Sequence, residues 1–128
     1  MAKKLGIREG SVVVAIGAPA NYAELVAPLP VGATITNRAP KAPSLVHVFC
    51  TKRSDLARHL GLLRQRITHD GVVWVSWPKK ASKVATDITE DTIRAECLPL
   101  GFVDIKVCAV DATWSGLKLV IRTELRSK

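Results

Sequence analysis

The stretch GVVWVSWPKKASKVATDITEDTI, residues 71–93, joins the most hydrophobic segment of the chain to a polar loop and a helix signal. Its apolar run at residues 72–77 is continuous rather than alternating, which predicts a strand buried on both faces, as in a parallel sheet. Pro78 stops this strand and sets the direction of the loop. Asp87, followed three residues later by Glu90, is a capping signature that predicts the start of a helix.

Two further continuous apolar runs, at residues 11–16 and 45–50, predict buried strands of the same kind, and residues 33–36 predict a shorter strand. Asn21 begins a short helix, and Ser54 caps a longer one. The apolar residues of the longer helix recur at three- and four-residue spacing, which places them on one face. They are Leu56, Leu60, Leu63 and Ile67.

The end of the chain carries two more strand patterns, at residues 102–111 and 117–122, after a helix that closes at Gly101. The connection at residues 112–116 is too short for a crossover helix, so the two strands must pair antiparallel. Strands and helices alternate before this hairpin, which predicts a doubly wound, Rossmann-like α/β domain. The sheet is expected to be mostly parallel, with helices on both faces, in a single domain over residues 1–128.

Composition and charge narrow the classes of partner and location. The chain has 19 Lys and Arg against 11 Asp and Glu, a net charge of +8, which favours polyanions but also fits a solvated basic surface. No apolar window is long enough to cross a membrane, and no apolar segment follows the N-terminal lysines as in a secretory signal. We therefore expect a cytoplasmic protein, whose three cysteines are reduced core residues.

Basic residues follow several strands at the edge where ligands bind in doubly wound sheets. The carboxyl ends of the predicted strands bring together Gly17, Lys52, Arg53, Lys79 and Lys80, with Lys83 in the following loop. Helix N-termini also point to this rim, so the sequence predicts an anion site there. Trp77 is a candidate stacking platform for a nucleotide, and Trp114 a candidate wall of the site.

Other chemistry is poorly supported by the spacing of reactive residues. His47 and Cys50 lie three apart on a strand, so their side chains point to opposite faces and cannot share a metal ion. Ser76 lies within a strand, outside any nucleophile-elbow motif. Capping explains the carboxylates at residues 87–91. We therefore predict no catalytic residue and no metal site.

Five segments resemble a small bacterial domain family of unknown function with a methyltransferase-like fold. These are KLGI at 4–7, VVVAIGAP at 12–19, VVWVSWPKK at 72–80, ATDITED at 85–91 and VCAVDATWSGLKLV at 107–120. The arrangement is similar to the C-terminal half of class I S-adenosylmethionine-dependent methyltransferases. The resemblance implies a trimmed version of that fold.

Three departures from the methyltransferase pattern affect the cofactor. The glycine-rich turn after the first strand is reduced to residues 15–19, with one glycine and a proline. The acidic residue that would hold the ribose at the end of the second strand is replaced by residues 36–38, Thr-Asn-Arg. A loop at residues 38–44 replaces the helix and strand before the central strand. We therefore predict no cofactor, with S-adenosylmethionine disfavoured.

The preferred functional prediction is a binding domain without methyltransferase activity, which holds an anionic ligand or partner at the basic rim. One alternative is an S-adenosylmethionine-dependent methyltransferase with an atypical pocket, and another is a nucleic-acid-associated protein. A protein partner also remains open. So does the oligomeric state, because Lys106 and Lys118 disfavour pairing at the hairpin edge without excluding it.

Overall fold

The computed structural model describes residues 2–38 and 40–126. Ala39, within the predicted loop, and the ends of the predicted domain at residues 1 and 127–128 lie outside the described part. The strands are β1 (Val12–Ile16), β2 (Thr34–Thr36), β3 (Leu45–Phe49), β4 (Val72–Pro78), β5 (Phe102–Ala109) and β6 (Trp114–Ile121). The helices are α1 (Ala2–Leu5), α2 (Tyr22–Val26), α3 (Arg53–Arg66) and α4 (Glu90–Cys97), with 3-10 turns at Lys80–Ser82, Leu98–Leu100 and Thr123–Leu125.

The six strands form one sheet in the order β2-β1-β3-β4-β6-β5. The first four strands are parallel, and β6 pairs antiparallel with both β4 and β5. This confirms the predicted mixed α/β sheet with an antiparallel C-terminal hairpin at one edge. The strand order reverses beside β1, since the chain moves outward from β1 to β2 and then returns to β3 on the other side.

Each face of the sheet has its own apolar core, as expected for strands buried on both sides. Helices α3 and α4 cover one face, and their buried side chains pack on β4 and β6. Helices α1 and α2 cover the other face over β1, β3 and β4, where Trp74 donates a 3.0 Å hydrogen bond to the carbonyl of Leu5. The part of that face formed by β5 and β6 has no helix above it in the described chain.

The predicted caps of both long helices are wrong. Helix α3 begins at Arg53, and the side chain that accepts its first backbone N–H, at 2.6 Å, is that of Asp87. Asp87 therefore caps α3 rather than the helix that follows it, and Ser54 lies inside α3. Helix α4 begins at Glu90 instead, after a capping box between Thr89 and Thr92.

The connection between β5 and β6 is shorter than predicted. β6 begins at Trp114, inside the predicted turn. The turn is held by Asp111, whose Oδ1 accepts from the backbone N–H groups of Thr113 at 2.8 Å and Trp114 at 2.7 Å. Gly116, at the end of the predicted connection, lies in β6, where a Cβ would come within 3.4 Å of the Trp74 ring. The close approach of this ring accounts for the absence of a side chain.

The three cysteines, expected as reduced core residues, are all free thiols. Cys50 and Cys97 are buried, and Cys108 is half-buried. Among residues 2–38 and 40–126, no helix has the length and apolar character needed to cross a membrane.

Candidate functional site at the carboxyl edge

An open cavity of about 560 Å³ lies at the carboxyl edge of the sheet, where β1 and β2 end. Its volume is in the range of small-molecule sites, and its place beside the reversal of strand order is where doubly wound sheets bind ligands. The lining is formed by Ala15, Gly17, Ala18, Tyr22, Ala23, Ile35, Thr36 and Asn37. None of these described residues carries a charged side chain at neutral pH.

The cavity lining combines small side chains with the polar groups of Thr36 and Asn37. Thr36 and Asn37 end β2, and the Thr36 hydroxyl accepts a 3.1 Å hydrogen bond from the backbone N–H of Arg38. Asn37 is exposed, so its amide is accessible to a ligand as both donor and acceptor. Hydroxyl groups of a sugar are suitable partners for such an amide.

Gly17 lies at the cavity mouth, where the sequence places it. Its φ is +66°, and a Cβ at this position would come within 2.6 Å of the Phe49 carbonyl oxygen. The absence of a side chain is therefore required by the close approach of β3, whether or not a ligand also approaches the Gly17 backbone.

Behind the cavity wall, three polar side chains form a buried chain of hydrogen bonds. The Tyr22 hydroxyl lies 3.0 Å from His47 Nδ1, and His47 Nε2 lies 2.6 Å from the Ser76 hydroxyl. Burial lowers the pKa of His47 to about 3 and raises the pKa of Tyr22. His47 is therefore neutral at physiological pH, with one ring nitrogen donating and the other accepting.

Sequence reasoning missed these hydrogen bonds because it considered His47 as a metal ligand, and Ser76 as a nucleophile or as a hydroxyl bonded to local backbone. The signal was a histidine and a serine in otherwise apolar buried strands, since buried polar groups need partners. No group of three or more potential metal-ligating side chains occurs in the described part of the chain.

Two basic residues of the predicted rim already have partners within the fold. The Lys79 ammonium donates to the Asp111 carbonyl at 2.6 Å, and the Arg53 guanidinium pairs with Glu96 at 2.7 Å. The Asp87 carboxylate occupies the N-terminus of α3, so that helix end offers less positive potential than the sequence suggests.

The other three rim lysines are exposed. Lys52 follows β3, Lys80 follows β4, and Lys83 ends the 3-10 turn after β4 in a left-handed conformation, with φ of 60°. None of them takes part in the side-chain ion pairs found within residues 2–38 and 40–126. They are the rim cations that remain available to an anion.

The two tryptophans near the rim face opposite sides of the sheet. Trp77 is only 8% exposed and packs in the core beneath α3 and α4, so its ring does not provide the stacking platform expected from the sequence. Trp114 is half-buried on the other face, where its ring meets Phe49 edge-on at 5.1 Å. Phe49 stacks on His47 at 4.3 Å, which joins Trp114 to the aromatic wall behind the cavity.

Comparisons with solved structures agree with this architecture. A protein from Sulfolobus solfataricus assigned as a type 11 methyltransferase superposes with a TM-score of 0.66 at 12% identity, over 100% of this chain and 93% of that one. A protein from Thermoplasma acidophilum assigned as a methyltransferase gives 0.60 at 7% identity, over 94% and 72%. This chain has a methyltransferase-like fold.

A third similar structure is a ribosomal protein L11 methylase from Lactobacillus delbrueckii subsp. bulgaricus, with a TM-score of 0.51 and 13% identity. The match covers 87% of this chain but only 58% of that protein. No protein-family model matches the chain, and no curated protein matches it. At these identities the likeness concerns the fold alone.

Proposed function

We propose that this domain binds a phosphorylated nucleoside at the carboxyl edge of the sheet and does not transfer methyl groups. The observation that carries the proposal is the cavity at the ends of β1 and β2, which has no charged lining residue. It opens at the edge of the sheet where Lys52 and Lys80 follow the parallel strands β3 and β4. Such a cavity suits the uncharged part of a nucleotide, and the rim suits its phosphates.

The proposed binding mode follows the order of the strands. The apolar lining residues Ala15, Ala18 and Ile35 pack on the base, and Thr36 and Asn37 hydrogen-bond to the sugar hydroxyls. β3 and β4 lie one and two strand spacings from β1, or roughly 5 and 10 Å. Phosphates that extend in this direction from the cavity reach the region of Lys52 and Lys80.

The same lining argues against S-adenosylmethionine. That cofactor carries a sulfonium and an ammonium cation against a single carboxylate, so it has a net positive charge, and no carboxylate of the described residues lines the cavity to balance it. The chain itself has a net charge of +8, which adds an unfavourable long-range potential for a cationic ligand. Tyr22, the lining residue with a titratable side chain, has a raised pKa and is held by His47, so it is a poor proton acceptor.

A methyltransferase with an atypical pocket is the second candidate. It is favoured by the position of the cavity, because the turn after β1 and the end of β2 are the segments that the methyltransferase resemblance assigns to the cofactor. Both segments line this cavity, through Gly17 and Ala18 on one side and Thr36 and Asn37 on the other.

Site-directed variants test the proposed binding mode. We expect ATP to raise the unfolding temperature of the wild-type chain. A ligand at 100 times its dissociation constant adds about 2.7 kcal/mol to the free energy of unfolding. Asn37→Leu and the double variant Lys52→Gln/Lys80→Gln should each weaken ATP binding at least tenfold. The matched control Arg58→Gln/Arg66→Gln removes two charges from the exposed side of α3 and should leave the affinity within twofold.

Each variant addresses one part of the ligand. The affinity for adenosine should fall in Asn37→Leu and stay unchanged in the lysine variant, because adenosine has no phosphate. Equal weakening of ATP by the lysine variant and by the α3 control would attribute binding to net charge and would contradict the proposed site.

A further inference from the structure

A second positively charged surface lies on the C-terminal hairpin, on the sheet face that α1 and α2 leave uncovered. Lys118 pairs with Trp74 across the β4–β6 ladder and therefore shares the face on which Trp74 packs against α1. Lys106 lies directly opposite Lys118 in the β5–β6 ladder. Together with Lys4 and Arg8 from the N-terminal segment, they form what we call the hairpin-face cations.

A register shift places Lys106 on this face. Asp104 pairs with Leu119, so regular alternation would bring Ile105 opposite Lys118. The β-bulge at Ile105 instead advances the register by one residue and pairs Lys106 with Lys118. Like charges directly opposite each other in a ladder are destabilising. Bulges redirect particular side chains, often at functional sites, so an unfavourable pair created by a bulge calls for an explanation.

The other two cations lie at the border of the same face. Lys4 lies in α1, next to Leu5, whose carbonyl accepts the hydrogen bond from Trp74, and Trp74 is the residue paired with Lys118. Arg8 and Lys118 line a cleft of about 320 Å³ at the amino edge of the sheet, together with the hydroxyl-bearing residues Ser11 and Ser44.

Little negative charge balances these cations. None of the four takes part in an ion pair within the described residues 2–38 and 40–126. One carboxylate, Asp70, lines the same cleft as Lys118, and one more, the exposed Glu9, follows Arg8 in sequence. Asp104, close by in sequence, is paired with Arg94 at 2.9 Å. The hairpin face therefore remains positively charged in the folded protein.

We propose that the hairpin-face cations bind the phosphate backbone of single-stranded nucleic acid. This surface is distinct from the cavity, because it lies over β5 and β6 toward the amino edge, whereas the cavity opens at the carboxyl edge beside β1 and β2. The proposal is independent of the function proposed for the cavity.

The layout favours a nucleic acid strand over a compact anion. The charges are spread across two strands and onto α1, and Asp70 lowers the affinity of the cleft for a single small anion. A strand with regularly spaced phosphates meets several lysines at once and neutralises the Lys106–Lys118 repulsion. Lysine ammonium groups act as point charges without base preference, so we expect binding that depends on salt rather than on sequence.

Fluorescence anisotropy with a labelled single-stranded oligonucleotide of about 20 nucleotides tests this proposal on the full chain. Lys106→Gln/Lys118→Gln should weaken binding at least tenfold and reduce the slope of log affinity against log salt by about 1.4, since each phosphate contact contributes about 0.7. Arg58→Gln/Arg66→Gln, on the opposite side of the sheet, carries the same charge change and should leave the slope unchanged.

Several outcomes would overturn the proposal. They are a wild-type chain that does not bind the oligonucleotide at low salt, equal losses in the hairpin and α3 variants, and equally tight binding of a polyglutamate peptide of matched charge. Thermal unfolding provides a check on folding, because removing the Lys106–Lys118 repulsion should leave the unfolding temperature unchanged or higher. An affinity loss with an intact fold therefore reports on the surface.

Discussion

His47 Nε2 lies 2.6 Å from the hydroxyl of Ser76, and the two side chains join the central strands β3 and β4 through a bond that is fully shielded from water. The other ring nitrogen of His47 meets Tyr22, which lines the carboxyl-edge cavity. The wall of the cavity is therefore fixed from the centre of the sheet by a neutral polar chain.

These buried hydrogen bonds of His47 predict a specific pH dependence of stability. His47 is held neutral in the folded state down to a pKa of about 3, whereas an unfolded histidine takes up its proton near pH 6.5. The unfolded state therefore binds more protons between these values, and stability falls as the pH is lowered from 6.5 toward 3. We expect a contribution of up to about 1.4 kcal/mol per pH unit, measured by urea unfolding at pH 7, 6 and 5.

A variant isolates the share of His47 in that slope. His47→Gln keeps a donor and an acceptor but removes the titrating ring, so its stability should depend less on pH over this range. It should also lose about 2 kcal/mol at pH 7, because the hydrogen bonds to Tyr22 and Ser76 are no longer ideal. His59→Gln should retain most of the wild-type slope. An unchanged slope in His47→Gln would show that the folded histidine titrates normally.

Gly17 is predicted to be intolerant of any side chain. Gly17→Ala combines a positive φ with a Cβ 2.6 Å from the Phe49 carbonyl oxygen, and should lower the free energy of unfolding by about 2 kcal/mol or more. Gly61→Ala is the matched control: a Cβ there meets no atom within 4 Å, and alanine favours the helix by up to about 1 kcal/mol. Chemical denaturation of both variants should give shifts of opposite sign.

The Asp87 carboxylate and the Ser54 hydroxyl are the two alternative caps for the start of α3. Asp87→Ala removes the acceptor for the Arg53 backbone N–H and should cost about 1 kcal/mol, although Asp87 is distant from α3 in sequence. Ser54→Ala, at the cap that sequence reasoning preferred, should change stability by less than about 0.5 kcal/mol. A larger loss in Ser54→Ala than in Asp87→Ala would restore the sequence-based cap.

The two rim tryptophans should behave differently on truncation. Trp77→Ala leaves a void in the core beneath α3 and α4 and should cost about 3 to 5 kcal/mol. Trp114→Ala removes a half-buried ring from Phe49 and should cost about 1 to 2 kcal/mol, because less apolar area leaves contact with the protein. Equal losses measured by thermal unfolding would mean that Trp77 is less well packed than the structure shows.

Much of the fold was predictable because buried parallel strands leave a direct trace in sequence. The continuous apolar runs became β1, β3 and β4, and the short connection predicted at residues 112–116 required an antiparallel hairpin. The caps were not predictable, because the Asp87–Arg53 bond joins residues 34 positions apart, and local capping patterns compete with such tertiary partners.

A cavity lies at the carboxyl edge, where the sequence predicted an anion site, but Gly17 is the one predicted site residue among its described lining residues. The carboxyl ends of the strands converge where the sequence placed them, and the available rim lysines belong to the predicted set. The partners of Lys79 and His47 lie about 30 residues away in sequence, so their engagement by Asp111 and Ser76 required the folded structure. The strand register determines which face of β4 carries Trp77, and that face is the one covered by α3 and α4.

Isothermal titration of ATP and of S-adenosylmethionine into the wild-type chain tests the central proposal most directly. We predict saturable binding of ATP at the carboxyl-edge cavity and no measurable heat from S-adenosylmethionine at millimolar concentration. Binding of S-adenosylmethionine with no response to ATP would contradict the proposal and identify the cavity as a methyl-donor site.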